Sequence, residues 1–229
     1  MPHVEVFDKF AKEYDQWFET HAFAYQSEVE AVKRFIPSEG IGIEIGVGTG
    51  RFSVPFNITV GVEPSEQMAA IAHSRGITVH ISRAEQLPFD SEQFDFALMV
   101  TTLCFVDNPK LILKEAGRIL KPGGKIVVAI IDKESSLGRT YEAMKASNKF
   151  YSRAKFYSTK EVIELLHHAH FNQIQTCQTI FSNPDTMTMP DTVKDGYGEG
   201  AFVVISAIKS AYRQSLLHNA ASWQSYCDL

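Results

Sequence analysis

The 229-residue chain is predicted to fold as an α/β protein, a doubly wound sheet of seven strands with an N-terminal helical cap. Two observations predict it. Short apolar runs of strand type alternate with helix-type stretches from residue 41 onward, the pattern of a mostly parallel sheet covered on both faces. A glycine-rich turn, Gly46-Val47-Gly48-Thr49-Gly50, directly follows the first run, where doubly wound sheets bring backbone close to a ligand.

Residues 4–36 come first and carry Phe7, Phe10, Tyr14, Trp17, Phe18, Phe23, Val29, Val32 and Ile36 at helical spacing, up to a stop at 37–40. Strands are expected at 41–46, 59–63, 77–81, 94–101 and 124–131. A helix over 65–75 is capped by Ser65, with Glu66 in its first turn. Another over 108–120 is capped by Asn108, with Pro109 at the first helical position. Ile112, Ala116, Ile119 and Leu120 give that helix one buried stripe, and Lys121-Pro122-Gly123-Gly124 ends it. Helices at 136–150 and 159–169 then precede strands near 171–181 and at 201–208. A loop joins those last two strands, so they are expected to form an antiparallel pair at the sheet edge. The division is a cap at 1–36, a sheet domain at 37–209 and a tail at 210–229 that reads as loose helix or frayed end.

Composition narrows the function. Forty-five per cent of residues are hydrophobic and 21% charged, an ordinary globular balance. Twenty-two basic residues against 27 acidic ones give a net charge of -5, and basic residues cluster no further than Lys33-Arg34, which argues against nucleic acid as a partner. The longest apolar run, Ile126 to Ile131, is far short of the ~18 residues a membrane span needs. The first residues show no basic region followed by an apolar core, so a cytoplasmic location is expected. Three cysteines without C-x-x-C spacing form neither a disulfide framework nor a zinc ribbon.

The glycine spacing is G-x-G-x-G; Arg51 stands where a dinucleotide fingerprint has its third glycine, so a pyrophosphate is not the expected ligand. Nineteen residues after Glu44, at the end of the second strand, comes Glu63 in Gly61-Val62-Glu63-Pro64-Ser65. An acid there can accept from both hydroxyls of a ribose; the alternative is a solvated surface glutamate. Ala84-Glu85-Gln86-Leu87-Pro88-Phe89 and Phe94-Asp95-Phe96-Ala97 follow in order.

Linked in this order, these segments resemble the class I S-adenosylmethionine-dependent methyltransferases, specifically the type 11 or UbiE-like small-molecule group. The resemblance is strong over 40–131 and extends to Glu115 through Gly124, to Phe7-Asp8 with Tyr14-Asp15, and to Gly200-Ala201-Phe202-Val203-Val204. It implies a Rossmann-like doubly wound sheet, mostly parallel with an antiparallel edge strand. It also implies S-adenosyl-L-methionine as cofactor, held by Gly46, Gly48 and Gly50 under the methionyl and ribose part, with Glu44 orienting that loop. Glu63 would take the ribose hydroxyls, Met68 and Ala84 would flank the adenine, Thr101 to Leu103 would face the methionine moiety, and Tyr14 would close over it. Members commonly carry an Asp where this chain has Arg83. An arginine has no acceptor, so the adenine amino contact falls to Glu85, a backbone carbonyl or water.

The expected reaction is metal-independent, in-line methyl transfer to a small molecule. No side chain is singled out as catalytic, and the acceptor, the atom methylated and the oligomeric state are left open. His167, His168 and His170 end one helix and read as a capping terminus, whereas His21 reads as a surface or capping residue that could alternatively take a proton from the acceptor. Tyr14, Trp17, Phe18 and Tyr25 read as core or as the lining of a pocket for a small, planar or amine-bearing acceptor. Two other functions are weighed. One is a protein that binds S-adenosylmethionine or S-adenosylhomocysteine without catalysis; the other is an NAD-dependent oxidoreductase, disfavoured by the glycine spacing.

Overall fold

The computed structural model describes residues 4–210, so the expectation for the tail concerns residues outside the described part, Ser210 excepted. One mixed sheet runs through the molecule. Its strands are β1 (Gly42–Ile45), β2 (Val60–Val62), β3 (Thr78–His80), β4 (Phe94–Val100), β5 (Leu120–Ile131), β6 (Phe171–Thr179), β7 (Lys194–Asp195) and β8 (Phe202–Lys209), in the order β3-β2-β1-β4-β5-β8-β6-β7. The first five pair in parallel. β8 runs antiparallel between β5 and β6, and β7 runs antiparallel to β6 at the edge.

The fold class is as expected, with an eighth strand added. β7 is two residues long, too short to leave a period in the sequence. The late antiparallel pair forms, but β8 lies inside the sheet because its wholly apolar inner residues, Val203 to Ile205, are covered on both faces. β5 starts at Leu120 and not at 124. Lys121 to Gly124 is carried in the strand as a bulge, with Gly123 at φ +74°, between the pairs Phe94 with Leu120 and Phe96 with Lys125.

Side-chain alternation on the central strands builds the two faces. Ala97 and Met99 of β4 join Ile126, Val128 and Ile130 of β5 against α4 (Pro109–Ile119) and α6 (Thr159–His168). Phe96, Leu98 and Val100 point the other way with Val127 and Ala129, against α2 (Ala22–Lys33) through Ala24, Ala31 and Val32. Each fully buried aliphatic side chain contributes ~1.5 to 3 kcal/mol, so both faces are needed. The expected caps are present: Ser65 accepts from Met68 N–H at the start of α3 (Glu66–Ser74), and Asn108 accepts from Leu111 N–H at the start of α4.

The N-terminal helical stretch divides at His21 into α1 (Val4–Thr20) and α2. α2 covers the sheet, while α1 crosses toward the carboxyl ends of the strands. Beyond β5, α5 (Ser136–Met144) ends earlier than expected and passes into a 3-10 turn at Lys145–Ser147. Strand order reverses between β1 and β4, so their carboxyl ends open a crevice. No helix among the described residues is long and apolar enough to cross a membrane.

Candidate functional site

Two cavities meet in that crevice. The first is walled by the turn after β1, the end of β2, the start of α3, the segment 82–85 and the end of β4. Gly46 and Val47 both donate their N–H to Val62 carbonyl, which folds the turn back onto β2. Gly48 has φ +54°, and a Cβ there would point at Met68 Cε from 3.6 Å, into the space between turn and helix. A non-glycine residue pays ~1 to 2 kcal/mol for that backbone conformation, and a β-branched one more.

Glu63 closes the turn from the other side. Its Oε2 accepts from Gly48 N–H and its Oε1 from Ser65 N–H, both at 3.0 Å. Only 8% exposed, the carboxyl is pushed up by burial to about 7 against the opposing pull of those two bonds. Glu44 is buried more deeply; burial lifts it to about 8, and Ser53 Oγ donates to it.

Eight of the ten sequence-predicted cofactor residues line this cavity: Tyr14, Gly46, Gly48, Glu63, Met68, Ala84, Glu85 and Thr101. Glu44 and Gly50 do not. Glu44 sits behind the turn with Ser53, and Gly50, at φ +85°, packs closely against Ala72 and Ile77, a conformation that favours glycine. Arg83, at the mouth, is bound by Glu85 and by Asp107, and Asp107 N–H also donates to Glu85. Thr101 ends β4 at φ +50°, an uncommon conformation for a β-branched residue, held by its N–H donating to Ala129 carbonyl.

α1 roofs the crevice. Asp8 accepts from Ser65 Oγ and Gln67 N–H at the start of α3. Asp15 accepts two hydrogen bonds each from Arg51 and Arg75. Although burial opposes it, those guanidinium contacts hold the Asp15 carboxyl well below the usual range. Arg51, the residue that breaks the dinucleotide pattern, thus ties the glycine turn to the roof.

The second cavity, about 370 Å³, shares Tyr14, Val100 and Thr101 with the first and is otherwise lined by α1, α2, α5, Phe52, the segment 148–151, the turn at 184–186 and residues at the ends of β5, β6 and β8. Burial pushes the Tyr14 hydroxyl well above its ordinary value, which keeps it protonated. Both ring nitrogens of His21 are engaged, Nδ1 with Trp17 carbonyl and Nε2 with Asp185, each at 3.0 Å. Glu28 also lines this cavity, and sequence reading missed it. The signal was present, since Glu28 is four residues from both Ala24 and Val32 and therefore lies on the buried stripe of α2. His167 Nδ1 faces Phe171 carbonyl, and no group of three or more His, Cys, Asp or Glu that could hold a metal occurs among the described residues.

A family described as "Methyltransferase domain" matches residues 43–128. A Thermotoga maritima crystal structure of a SAM-dependent methyltransferase, described as a "possible histamine N-methyltransferase", is 54% identical; the match covers 90% of this chain and 99% of that one, with TM-score 0.88. This chain belongs to the S-adenosylmethionine-dependent methyltransferases. It is an enzyme of that family and S-adenosylmethionine is its cofactor. An uncharacterised protein of Methanocaldococcus jannaschii is also 54% identical to the methyltransferase, over 90% of this chain and 100% of the relative. A demethylmenaquinone methyltransferase of Symbiobacterium thermophilum is 29% identical over 54% of this chain and 56% of its own length. The Haemonchus contortus phosphoethanolamine N-methyltransferase 2, solved with S-adenosylhomocysteine, shares the fold at TM-score 0.65 and 15% identity, over 91% of this chain and 60% of that one.

Proposed function

We propose that this methyltransferase holds S-adenosylmethionine in the first cavity and a small-molecule acceptor in the second, with the methyl group passing between them beside Tyr14, Val100 and Thr101. The observation that carries this reading is the junction itself, because those three residues line both cavities. The donor set fits the cofactor. A glycine turn with open space at Gly48 admits its backbone-facing side, and the buried carboxylate of Glu63 offers lone pairs to a ribose diol.

Gly46 and Gly48 would present backbone to the ribose and methionyl part, Met68 and Ala84 would flank the adenine, and Glu85 would accept from its amino group in place of the missing Asp. Glu44 and Gly50 act from behind, through Ser53 and through packing on Ile77. Thr101 faces the methionine moiety and Tyr14 covers it. S-adenosylmethionine, when bound, supplies a methyl group already activated by the adjacent sulfonium charge. The chain's task is to hold the acceptor atom in line behind that carbon, an effect that supplies ~7 to 11 kcal/mol of a barrier. Aromatic walls from Tyr14, Phe18 and Phe150 keep water from the junction.

A small acceptor is favoured over nucleic acid by the net charge of -5 and by a second-cavity lining that, among the described residues, has no Lys or Arg. The test is to incubate the protein with methyl-labelled cofactor and fractionated metabolite pools, reading label by mass spectrometry. Label in a small molecule is expected. Label confined to protein or nucleic acid, or no transfer by a protein that still binds S-adenosylhomocysteine, would overturn the proposal.

A further inference from the structure

Within the second cavity one group is out of keeping with its surroundings. Glu28 has no hydrogen-bond or ion-pair partner among the described residues, and burial alone lifts its carboxyl to about 8. It occupies a sheet-facing position of α2, between Ala24 and Val32, where an apolar residue would pack at no electrostatic cost. A local rule broken without compensation inside the fold marks a site whose compensation comes from outside it.

The surroundings say what kind of partner that is. Among the described residues, no Lys or Arg lines the cavity. Its titratable groups are Glu28 from α2, Tyr14 and His21 from α1 and its end, Tyr141 from α5, Tyr151 from the segment beyond, and Asp185 from the 184–186 turn. His21 is bound to Asp185, so these two largely answer each other. The charge of Glu28 is felt at the hydroxyls of Tyr14, Tyr141 and Tyr151, which places it centrally among those rings. Aromatic faces attract a cation, as an unpaired carboxylate does, and both reject an anion.

We propose that the methyl acceptor is a small amine entering as its ammonium ion, with Glu28 as its counterion and as the acceptor of the proton it must lose; this rests on the reading of the second cavity given above. The ammonium gives one proton to the Glu28 carboxylate, which frees the nitrogen lone pair. That pair forms the N–C bond to the methyl group while the C–S bond breaks, and the electrons of the broken bond stay on sulfur. The products are an N-methylammonium ion and a neutral thioether, and Glu28 returns its proton to solvent on release. His21, engaged at both nitrogens, is not needed for proton removal.

The probes are 2-phenylethylamine, tryptamine and histamine, with 2-phenylethanol and tryptophol as neutral counterparts, titrated by calorimetry into protein saturated with S-adenosylhomocysteine. At least one amine is expected to bind, at least tenfold tighter than its alcohol. Glu28→Gln should weaken that amine tenfold or more while S-adenosylhomocysteine affinity stays within twofold, and Glu28→Asp should restore part of the loss. Failure of every amine to bind at millimolar concentration, equal binding of alcohol and amine, or unchanged amine binding by E28Q would each overturn the inference. Transfer of label to a neutral metabolite at the same rate by wild type and E28Q would remove the amine and leave the proposed function standing. Absence of label in any small molecule would remove the proposed function itself.

Discussion

At the residue scale, the first cavity depends on positions that tolerate one residue type each. Gly48 combines a left-handed backbone with an open path toward Met68, so Gly48→Val should abolish S-adenosylhomocysteine binding in calorimetry. The strained, β-branched valine should also lower stability by at least ~2 kcal/mol, with the circular dichroism spectrum still that of a folded protein. Near-normal affinity would place the cofactor elsewhere. Glu63 is tested differently, because its two oxygens already hold Gly48 and Ser65 N–H groups and shape the turn. Glu63→Ala removes charged-acceptor bonds worth ~1.5 to 3 kcal/mol each. It should weaken S-adenosylmethionine and S-adenosylhomocysteine by the same factor, since they share the ribose. A loss confined to one of them would contradict the assignment of Glu63 to the diol.

At the element scale, α1 is joined to the rest of the fold mainly by carboxylates, Asp8 on the start of α3 and Asp15 between Arg51 and Arg75, and by edge-to-face rings such as Phe18 with Phe52 and Tyr14 with Phe150. A helix fixed at a few polar points over a ligand crevice is the element expected to tighten when the crevice fills. Residues 7–25 should therefore gain hydrogen-exchange protection on addition of S-adenosylhomocysteine. Tyr14→Ala should lose most of that gain, and an unchanged exchange pattern in the wild type would refute the lid. Elements whose signals are local were readable in the sequence: the glycine turn, the Ser65 and Asn108 caps, and the alternating strands. The start of β5 was not, because Lys121 to Gly124 carries turn residues while its pairing with β4 is set by a bulge from a strand more than twenty residues away. The second cavity was hidden for a related reason. Its walls come from α1, α2, α5, the 148–151 segment, the 184–186 turn and the ends of β5, β6 and β8, which only the tertiary fold brings together, so the place of Glu28 on the buried stripe of α2 did not by itself reveal a cavity.

At the scale of the whole molecule, three carboxyls among the described residues are pushed up by burial, Glu28 and Glu44 to about 8 and Glu63 to about 7, from an ordinary value of about 4.5. Each binds its proton more tightly folded than unfolded, so its favourable contribution is complete below pH 4.5 and is lost as pH rises through 7 to 8. Asp15 acts in the opposite sense, since the bonds from Arg75 and Arg51 outweigh burial and lower its value; its contribution is present above the ordinary aspartate range and is lost in acid. Together they predict a ligand-free melting temperature that peaks near pH 4 to 5 and declines toward pH 8. Glu28→Gln and Glu44→Gln should each flatten the decline. Cofactor binding reverses part of it, because ribose hydroxyls donate more strongly to the carboxylate form of Glu63 than to the acid. The affinity for S-adenosylhomocysteine should accordingly rise between pH 6 and 8, and the gap between melting temperatures with and without it should widen over the same interval. Glu63→Gln, which cannot ionise, should bind weakly at every pH and show no such rise. If the ligand-free melting temperature is level from pH 5 to 8.5, the three buried acids are not perturbed. If S-adenosylhomocysteine affinity is level while the melting temperature falls, Glu63 is buried as described but does not hold the ribose.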